Sequence, residues 1–387
     1  MARILFVVPP LTGHVNPTIS VGRALAARGH TVAWAGHPGT VRALLPAGAE
    51  LVPMPEHVDA AHAAAIADKA RSTRGAAALK FLWEDFLVPL ARSMRPALDA
   101  AVAAWRPDLL VVDQQALAGG LVARARGIPW ATTATTSAGV TDPLAALPQV
   151  KRWLADLYAD LEREAGLPPA GDGAELSPHR VIAFTTAALV GPADRFPPHY
   201  RFVGPSIADR PETASFPFER LGPRPRVLVT MGTVNVDVST RFYQVAIEAL
   251  RDQPLQTILV APPEVVGPLP PSVLCQRYVP QLALLREVDA VVCHGGHNTV
   301  CEALAAGLPL VIAPIKDDQP IVADQVVAAG AGLRVKFGRV QPPELAAAVR
   351  RVLDEPPFRA AAAAVQASFS AAGGAAAAAT ALEELLP

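Results

Sequence analysis

The segment ILFVVPPLTGHVNPTISVGRALAARGHTVAWA, residues 4–35, contains the pattern that decides the fold. It opens with a continuous apolar run, residues 4–8, which is typical of a strand buried on both faces of a sheet. A turn follows, and Pro17 suits the first turn of a helix that ends near Gly29. Because residues 31–35 form the next apolar run, the segment predicts a strand–helix–strand unit with parallel strands.

The alternation of apolar runs and helical patterns continues along the chain. Further predicted strands lie at residues 109–112, 129–133, 226–230, 257–260, 290–293 and 310–313. This alternation predicts an α/β fold with two doubly wound domains in tandem. Ligands of such folds bind at the carboxyl ends of the strands, so we expect the site in the cleft between the domains.

The distribution of proline and polar residues indicates the domain boundaries. Residues 208–225 are rich in both and form the candidate linker. We expect an N-terminal domain over residues 1–207 and a C-terminal domain over residues 226–357. The Ala-rich tail, at about residues 358–387, is predicted to be helical and to complete the N-terminal domain.

The composition argues against several classes of protein. A formal net charge of −1 over 387 residues gives no electrostatic basis for binding nucleic acid. No uninterrupted apolar run reaches the roughly 18 residues of a membrane span. The N-terminus lacks a signal-peptide pattern, and three cysteines are too few for a disulfide framework. These features predict a cytoplasmic enzyme, and they leave open whether it forms a homodimer.

The segment His294-Gly295-Gly296-His297-Asn298-Thr299 lies between the predicted strand 290–293 and a predicted helix over residues 299–306. A strand–glycine turn–helix directs unpaired backbone N–H groups at one point, where the positive end of the helix dipole also lies. Paired glycines let an anion approach closely, and His294 adds a further donor or a positive charge. The segment predicts a metal-free diphosphate site. The alternatives are an ordinary capped turn or a zinc site with Cys293, but the latter's spacings match no usual ligand pattern.

The segment, with Glu302 eight residues after His294, resembles the donor motif of the inverting nucleotide-sugar glycosyltransferases. These GT-B enzymes, with two Rossmann-like domains, include bacterial macrolide and aglycone glycosyltransferases and plant secondary-product glycosyltransferases. Upstream, Tyr278-Val279-Pro280-Gln281 is similar to their base-binding loop. Downstream, Asp317-Asp318-Gln319-Pro320 is similar to their sugar-binding loop. The start of the chain matches as well, so the resemblance covers both domains.

The resemblance implies a role for each part of the donor site. The diphosphate would be held by the turn, mainly through His294, Gly296, Asn298 and Thr299. The ribose would donate hydrogen bonds to Glu302, and the base would lie against Val279 and Gln281. The sugar hydroxyls would contact Asp318 and Gln319. A second glycine turn, Met231-Gly232-Thr233, follows the strand that ends at residue 230, and its Thr233 is a further candidate for the diphosphate.

One departure concerns the base. Plant members carry a Trp where this chain has Tyr278 or Val279. Stacking on the base is therefore expected to be weaker here, as in the bacterial members. The loop does not distinguish uracil from thymine.

Two residues at the predicted rim of the first domain suit proton abstraction. His14 lies between the first strand and the first helix, and Asp113 ends the strand 109–112. A neutral imidazole is a suitable base for a hydroxyl, and a carboxylate is the usual device that orients it. Taken singly, His14 suits a helix cap and Asp113 a turn, but together they resemble the family's His–Asp dyad. Direct attack by the acceptor would invert the anomeric centre, and no metal or other cofactor is required.

The acceptor is expected to bind near His14. An apolar cluster occurs in a segment, about residues 56–95, that resembles the family's variable acceptor region; it consists of Phe81, Leu82, Trp83, Phe86 and Leu87. Its alternative interpretation is a buried helix face. Thr136, Trp130 and Trp153 are further candidates for the same cavity, which would suit a bulky apolar aglycone.

The resemblance therefore implies an O-glycosyltransferase that moves a hexose or deoxyhexose from a dTDP- or UDP-sugar to a hydrophobic natural-product acceptor, as in antibiotic biosynthesis. Two alternatives on the same fold are a nucleotide-sugar epimerase and a lipid-linked sugar transferase. A third is a non-catalytic sugar-nucleotide binding protein, against which His14 and Asp113 argue.

Overall fold

The computed structural model describes residues 1–56, 66, 69, 73, 75–207, 214–232 and 238–386. The chain forms two compact units. The first consists of Met1–Thr185, Pro192–Pro211 and Ala372–Pro387, and the second of Thr186–Gly191 and Glu212–Ala371. Both are parallel α/β sheets, as the alternation of apolar runs and helical patterns predicts.

The first unit contains a seven-stranded parallel sheet with the order β3-β2-β1-β4-β5-β6-β7. Its strands are β1 Arg3–Val7, β2 Thr31–Gly36, β3 Glu50–Pro53, β4 Leu109–Asp113, β5 Trp130–Ala134, β6 Val181–Ala183 and β7 Tyr200–Phe202. The strand order reverses between β1 and β4, and these two strands are apolar and almost wholly buried. The carboxyl ends of β1 and β4 therefore flank the crevice where such folds bind ligands.

The helices of the first unit lie in the connections between these strands. Those that the structure describes before Thr185 are α1 Thr12–Ala27, α2 Pro38–Leu44, α3 Ala76–Lys80, α4 Val88–Trp105, α5 Leu117–Arg126 and α6 Pro148–Glu164, with a π-helical turn, Phe81–Leu87, between α3 and α4. The prediction for α1 was wrong at its start, because the helix begins five residues before Pro17. The Leu11 carbonyl accepts hydrogen bonds from the N–H groups of His14 and Val15, so the first turn is already closed ahead of the proline.

The second unit contains a six-stranded parallel sheet with the order β10-β9-β8-β11-β12-β13. Its strands are β8 Arg226–Thr230, β9 Gln256–Val260, β10 Val273–Gln276, β11 Ala290–Cys293, β12 Leu310–Ile312 and β13 Gly332–Arg334. Its helices are α7 Ala187–Val190, α8 Thr240–Leu250, α9 Pro263–Val266, α10 Gln281–Leu284, α11 His297–Ala305, α12 Gln319–Ala328, α13 Pro342–Asp354 and α14 Pro356–Ala372. The order reverses between β8 and β11, so the ligand crevice of this unit lies at their carboxyl ends.

The tail divides between the two units, which differs from the prediction that all of it joins the first. Helix α14 buries Val365 and Phe369 in the second unit's core. Only the last helix, α15 Gly374–Glu383, joins the first unit, where Leu382 is buried and the Gly374 N–H donates to the Val203 carbonyl at 2.7 Å. Each helix joins the unit whose core buries its apolar face. The two helices are both rich in alanine, so the sequence hardly shows which core each one would join.

The predicted linker 208–225 is only partly described, from residue 214 onward. The described part is not a solvent-exposed linker, because Phe216 is 8% exposed and packs in the second unit's core. Among the described residues, no helix is long and apolar enough to cross a membrane.

Candidate functional site

The candidate base of the first unit lies where the strand order reverses. His14 is in the first turn of α1, which follows β1, and Asp113 is the last residue of β4. Strands β1 and β4 are neighbours in register, with Val7 beside Val112. The fold thus brings together two residues that are 99 positions apart in the chain.

The two side chains form a hydrogen-bonded pair. His14 Nδ1 lies 2.8 Å from Asp113 Oδ1, and the side chains are 15% and 0% exposed. Asp113 Oδ1 also accepts from the backbone N–H of Gln115 at 2.8 Å. A carboxylate at Nδ1 favours the tautomer that carries its proton on Nδ1, which leaves the lone pair on Nε2. The pair therefore has the arrangement of an oriented imidazole base.

A third residue, which the sequence did not indicate, joins this pair. Thr135 comes directly after β5, and its Oγ1 lies 2.7 Å from His14 Nδ1 and donates to Asp113 Oδ2 at 2.8 Å. The only signal for it in the sequence is a hydroxyl residue at the end of a predicted strand. Its contact depends on the order of β4 and β5 in the sheet, which local patterns do not reveal.

The candidate diphosphate turn of the second unit follows β11 and opens α11. Gly295 has a φ of +88°, and a Cβ there would lie 2.8 Å from Ile312 Cγ2. At Gly296 a Cβ would lie 2.4 Å from His294 Nε2. Gly295 therefore requires glycine, whereas a side chain at Gly296 would displace the His294 ring. Asn298 and Thr299 are half-buried on the first turn of α11, where their side chains can still reach a ligand.

The second glycine turn contacts the first. Gly232 has a φ of +72°, and a Cβ there would lie 2.8 Å from His294 Cε1. The Cε1–Nε2 edge of His294 thus packs closely against both glycines, beside the carboxyl ends of β8 and β11. Thr233, the other predicted residue of this turn, lies outside the described residues.

The surroundings of His294 favour its neutral form, where the sequence left open a further donor or a positive charge. Burial lowers the pKa of its imidazole to about 4, while a hydrogen bond with the Thr230 backbone opposes the shift. The shift favours the neutral ring near pH 7, and a neutral ring has a single N–H, which the Thr230 backbone engages here. His297 is also buried, with Nε2 3.4 Å from Cys301 Sγ, so the part of it best placed for an anion is its backbone N–H at the start of α11.

The neutral state of His294 predicts a pH dependence of stability. Its pKa of about 4 in the folded chain lies below the usual histidine value, so between pH 4 and about 6.5 the unfolded chain binds more protons. The free energy of unfolding should rise with pH over this window, by about 3 kcal/mol from His294. Urea unfolding from pH 4.5 to 7.5 should show a shallower rise in His294→Asn than in wild type. Equal slopes would contradict the assignment, and His179→Ala, which alters an exposed histidine, is the control.

The predicted ribose and base residues come together at the same end of the second sheet. Glu302 is buried on α11, and its Oε2 accepts a hydrogen bond from Gln281 Nε2 on α10. Val279 packs on the core beside them, whereas Tyr278 is 61% exposed. Two residues 21 positions apart thus share one polar contact, which would orient the Glu302 carboxylate.

The predicted sugar loop lies at the start of α12. Asp318 is half-buried and directly precedes the helix. Gln319 is buried, and its Oε1 accepts from the backbone N–H groups of Ile315 at 2.9 Å and Lys316 at 3.2 Å. The Gln319 oxygen is therefore used in holding the loop, and any contact with a sugar hydroxyl would come from its Nε2.

The predicted acceptor cluster coincides with the π-helical turn Phe81–Leu87. Phe81 and Leu87 are buried, and Trp83 and Phe86 are half-buried against the first unit's core. π-Helical turns occur often at functional sites. The half-buried rings are thus compatible with both interpretations, a binding wall and a helix face.

Two further acceptor candidates have structural contacts. Thr136 caps a short 3₁₀ turn, Ser137–Gly139, by accepting from the Ala138 N–H at 3.3 Å. Trp130 is 2% exposed and packs in the first unit's core, which favours a core role over the predicted cavity wall.

Comparison with known proteins gives concordant matches. Residues 256–385 match the family described as "Erythromycin biosynthesis protein CIII-like, C-terminal domain". The chain is 33% identical to 4'-demethylrebeccamycin synthase of Lentzea aerocolonigenes, over 92% of this chain and 93% of that protein. It is 29% identical to the NDP-glycosyltransferase YjiC of Bacillus subtilis strain 168, over 89% and 87%. The crystal structure of the glycosyltransferase of kitacinnamycin superposes with a TM-score of 0.81 at 28% identity, covering 100% of this chain and 99% of that one.

Proposed function

Because this chain belongs to the GT-B natural-product glycosyltransferases, we propose that it transfers a hexose or deoxyhexose from a dTDP- or UDP-sugar to a hydroxyl group of an apolar aglycone. The transfer inverts the anomeric centre, and His14 is the general base. Similarity to a relative named an NDP-glycosyltransferase supports a nucleoside diphosphate as leaving group.

The donor half of the reaction uses the turn over residues 294–299. The backbone N–H groups at the start of α11 donate to the diphosphate, with His294 packed against the turn, and their effect grows as the leaving group gains charge. Gly295 and Gly296 support this role because side chains at either position would collide with neighbouring atoms. With these fixed donors the departing diphosphate needs no metal, so activity should persist in EDTA.

The recognition of the nucleoside and the sugar uses the flanking elements. Glu302 accepts from the ribose hydroxyls, with its carboxylate held by Gln281. Val279 supports the base, and Asp318 with the Gln319 amide faces the sugar hydroxyls. The half-buried Asp318 retains the exposure that such a contact requires.

The acceptor half of the reaction uses His14. Its Nε2 takes the proton of the acceptor hydroxyl as the oxygen attacks the anomeric carbon and the bond to the diphosphate breaks. Asp113, wholly buried, stabilises the imidazolium that forms and keeps Nδ1 protonated throughout. The 2.8 Å contact between His14 and Asp113 is the observation that carries this proposal. An epimerase has no acceptor hydroxyl to deprotonate, and a binding protein needs no oriented base.

A panel of nucleotides tests the proposal directly. UDP, dTDP and their sugars, each at about 100 times its dissociation constant, should add about 2.7 kcal/mol to the free energy of unfolding. Unfolding temperatures should rise by roughly 3 °C for cooperative unfolding of a chain of 387 residues, and a nucleotide sugar with a phenolic or polyketide acceptor should yield a glycoside. Binding without transfer to any acceptor would favour the sugar-nucleotide binding protein. Interconversion of the sugar nucleotide without an acceptor would favour the epimerase.

A further inference from the structure

The hydroxyl of Thr135 contacts both members of the His14–Asp113 pair. Its Oγ1 lies 2.7 Å from His14 Nδ1 and 2.8 Å from Asp113 Oδ2, and the residue is 4% exposed. The contacts join three segments, since α1 carries His14, β4 ends in Asp113, and Thr135 follows β5. The three side chains therefore form a closed triangle rather than a chain.

The single hydroxyl proton determines how this triangle is bonded. The Thr135 O–H donates to Asp113 Oδ2, since a carboxylate oxygen only accepts. A Thr135 lone pair then faces His14 Nδ1, whose proton is shared with Asp113 Oδ1. The opposite tautomer would turn the Nδ1 lone pair toward the Asp113 carboxylate, which is unfavourable. Thr135 and Asp113 thus require the same tautomer of His14.

We propose that Thr135 is a positioning residue of the transfer reaction, which completes the pair into a Thr135–His14–Asp113 triad. This inference rests on the proposed role of His14 as general base. Asp113 then accepts on Oδ1 from Gln115 N–H and His14, and on Oδ2 from Thr135. The carboxylate cannot rotate without breaking several of these bonds, and the imidazole is held with Nε2 toward the acceptor.

The effect should appear in turnover and not in substrate binding. Thr135→Val replaces the hydroxyl by a methyl of similar size, which leaves Oδ2 of a buried carboxylate without its donor. We expect kcat to fall about 10- to 100-fold, with KM for donor and acceptor changed less than about twofold. Thr135→Ser retains the hydroxyl and should recover most of the wild-type kcat.

The chain offers a matched control two residues earlier. Thr133 is buried on β5 beside Asp113 in the sheet register, but its Oγ1 has no hydrogen-bond partner among the described residues. Thr133→Val makes the same chemical change without removing a contact of the triad. It should leave kcat and KM unchanged. Thr135→Ala gives the same comparison if the bulk of valine prevents Thr135→Val from folding.

The outcomes separate this inference from the proposed function. If His14→Ala lowers kcat while Thr135→Val and Thr135→Ala match wild type, the triad is overturned and the base remains. A loss in Thr135→Ser as large as in Thr135→Val would also overturn it, because the hydroxyl would not be the cause. If His14→Ala itself leaves kcat unchanged, the assignment of His14 as general base is wrong, and the triad is overturned as well.

Discussion

Replacing His14 with alanine should lower kcat for sugar transfer by about 10³-fold. A neutral hydroxyl is a poor nucleophile near pH 7, and the variant has no group in its place to accept the proton as the new bond forms. The donor turn, on the second unit's sheet, is untouched. The KM for the nucleotide sugar should therefore change less than about threefold, so the loss lies in the chemical step. Initial rates at saturating donor and acceptor measure it.

The control for this variant is His179→Ala, because His179 is exposed on the same unit and has no proposed role. It should retain wild-type kinetics. A wild-type kcat in His14→Ala would contradict the base assignment. A large rise in KM with kcat intact would instead indicate that His14 binds the acceptor.

Replacing Gly296 with alanine should weaken binding of the nucleoside diphosphate by about 10- to 100-fold, the loss of one or two hydrogen bonds to a charged group. The backbone at Gly296 has a φ of −60°, so alanine is not strained there. The new Cβ would lie 2.4 Å from His294 Nε2, and Gly232 packs against the same edge of the ring. The imidazole must therefore leave its position, which disturbs the turn and the backbone N–H groups that it presents.

Gly338→Ala is the matched control in the same unit, because a Cβ at Gly338 has nothing within 4 Å. Titration calorimetry with UDP and dTDP should give wild-type affinity for Gly338→Ala and weaker binding for Gly296→Ala. Unchanged affinity in Gly296→Ala, in a variant that unfolds at the wild-type temperature, would show that the turn does not hold the diphosphate.

Both units use the same structural device. The candidate residues follow the two strands that flank the reversal of strand order: β1 and β4 in the first unit, and β8 and β11 in the second. The carboxyl ends of these strands diverge into loops on opposite sides of the sheet, which opens a crevice between them. His14 and Asp113 occupy this position in one unit, and Gly232 and His294 in the other.

The sequence predicted the features that depend on neighbouring residues in the chain, namely buried strands and close turns. The apolar runs before His14 and His294 predicted buried strands, and the glycines after β11 predicted a close turn, as the structure has them. It did not reveal Thr135, whose role depends on which strands are neighbours. Nor did it reveal that burial lowers the pKa of His294, because the ring is packed against residues distant in the chain such as Gly232.

The ends of helices were also predicted poorly from the sequence. Pro17 suggested a helix start, although α1 begins at Thr12, and the uniform alanines of the tail concealed the break near Gly373 between α14 and α15. Glycine at 373 has a φ of +86°, which ends one helix and redirects the chain. The position of such a break depends on the core in which each helix buries its apolar face. Helix propensity does not determine it.

The configuration of the transferred sugar tests the central claim most directly. The one-bond carbon–proton coupling at the anomeric carbon of the glycoside, measured by NMR, distinguishes the two configurations. A base that activates the acceptor for direct displacement of the diphosphate predicts a β-glycoside from an α-linked nucleotide sugar. An α-glycoside from that donor would contradict the account, because it requires an intermediate or a front-face attack that His14 and Asp113 do not provide.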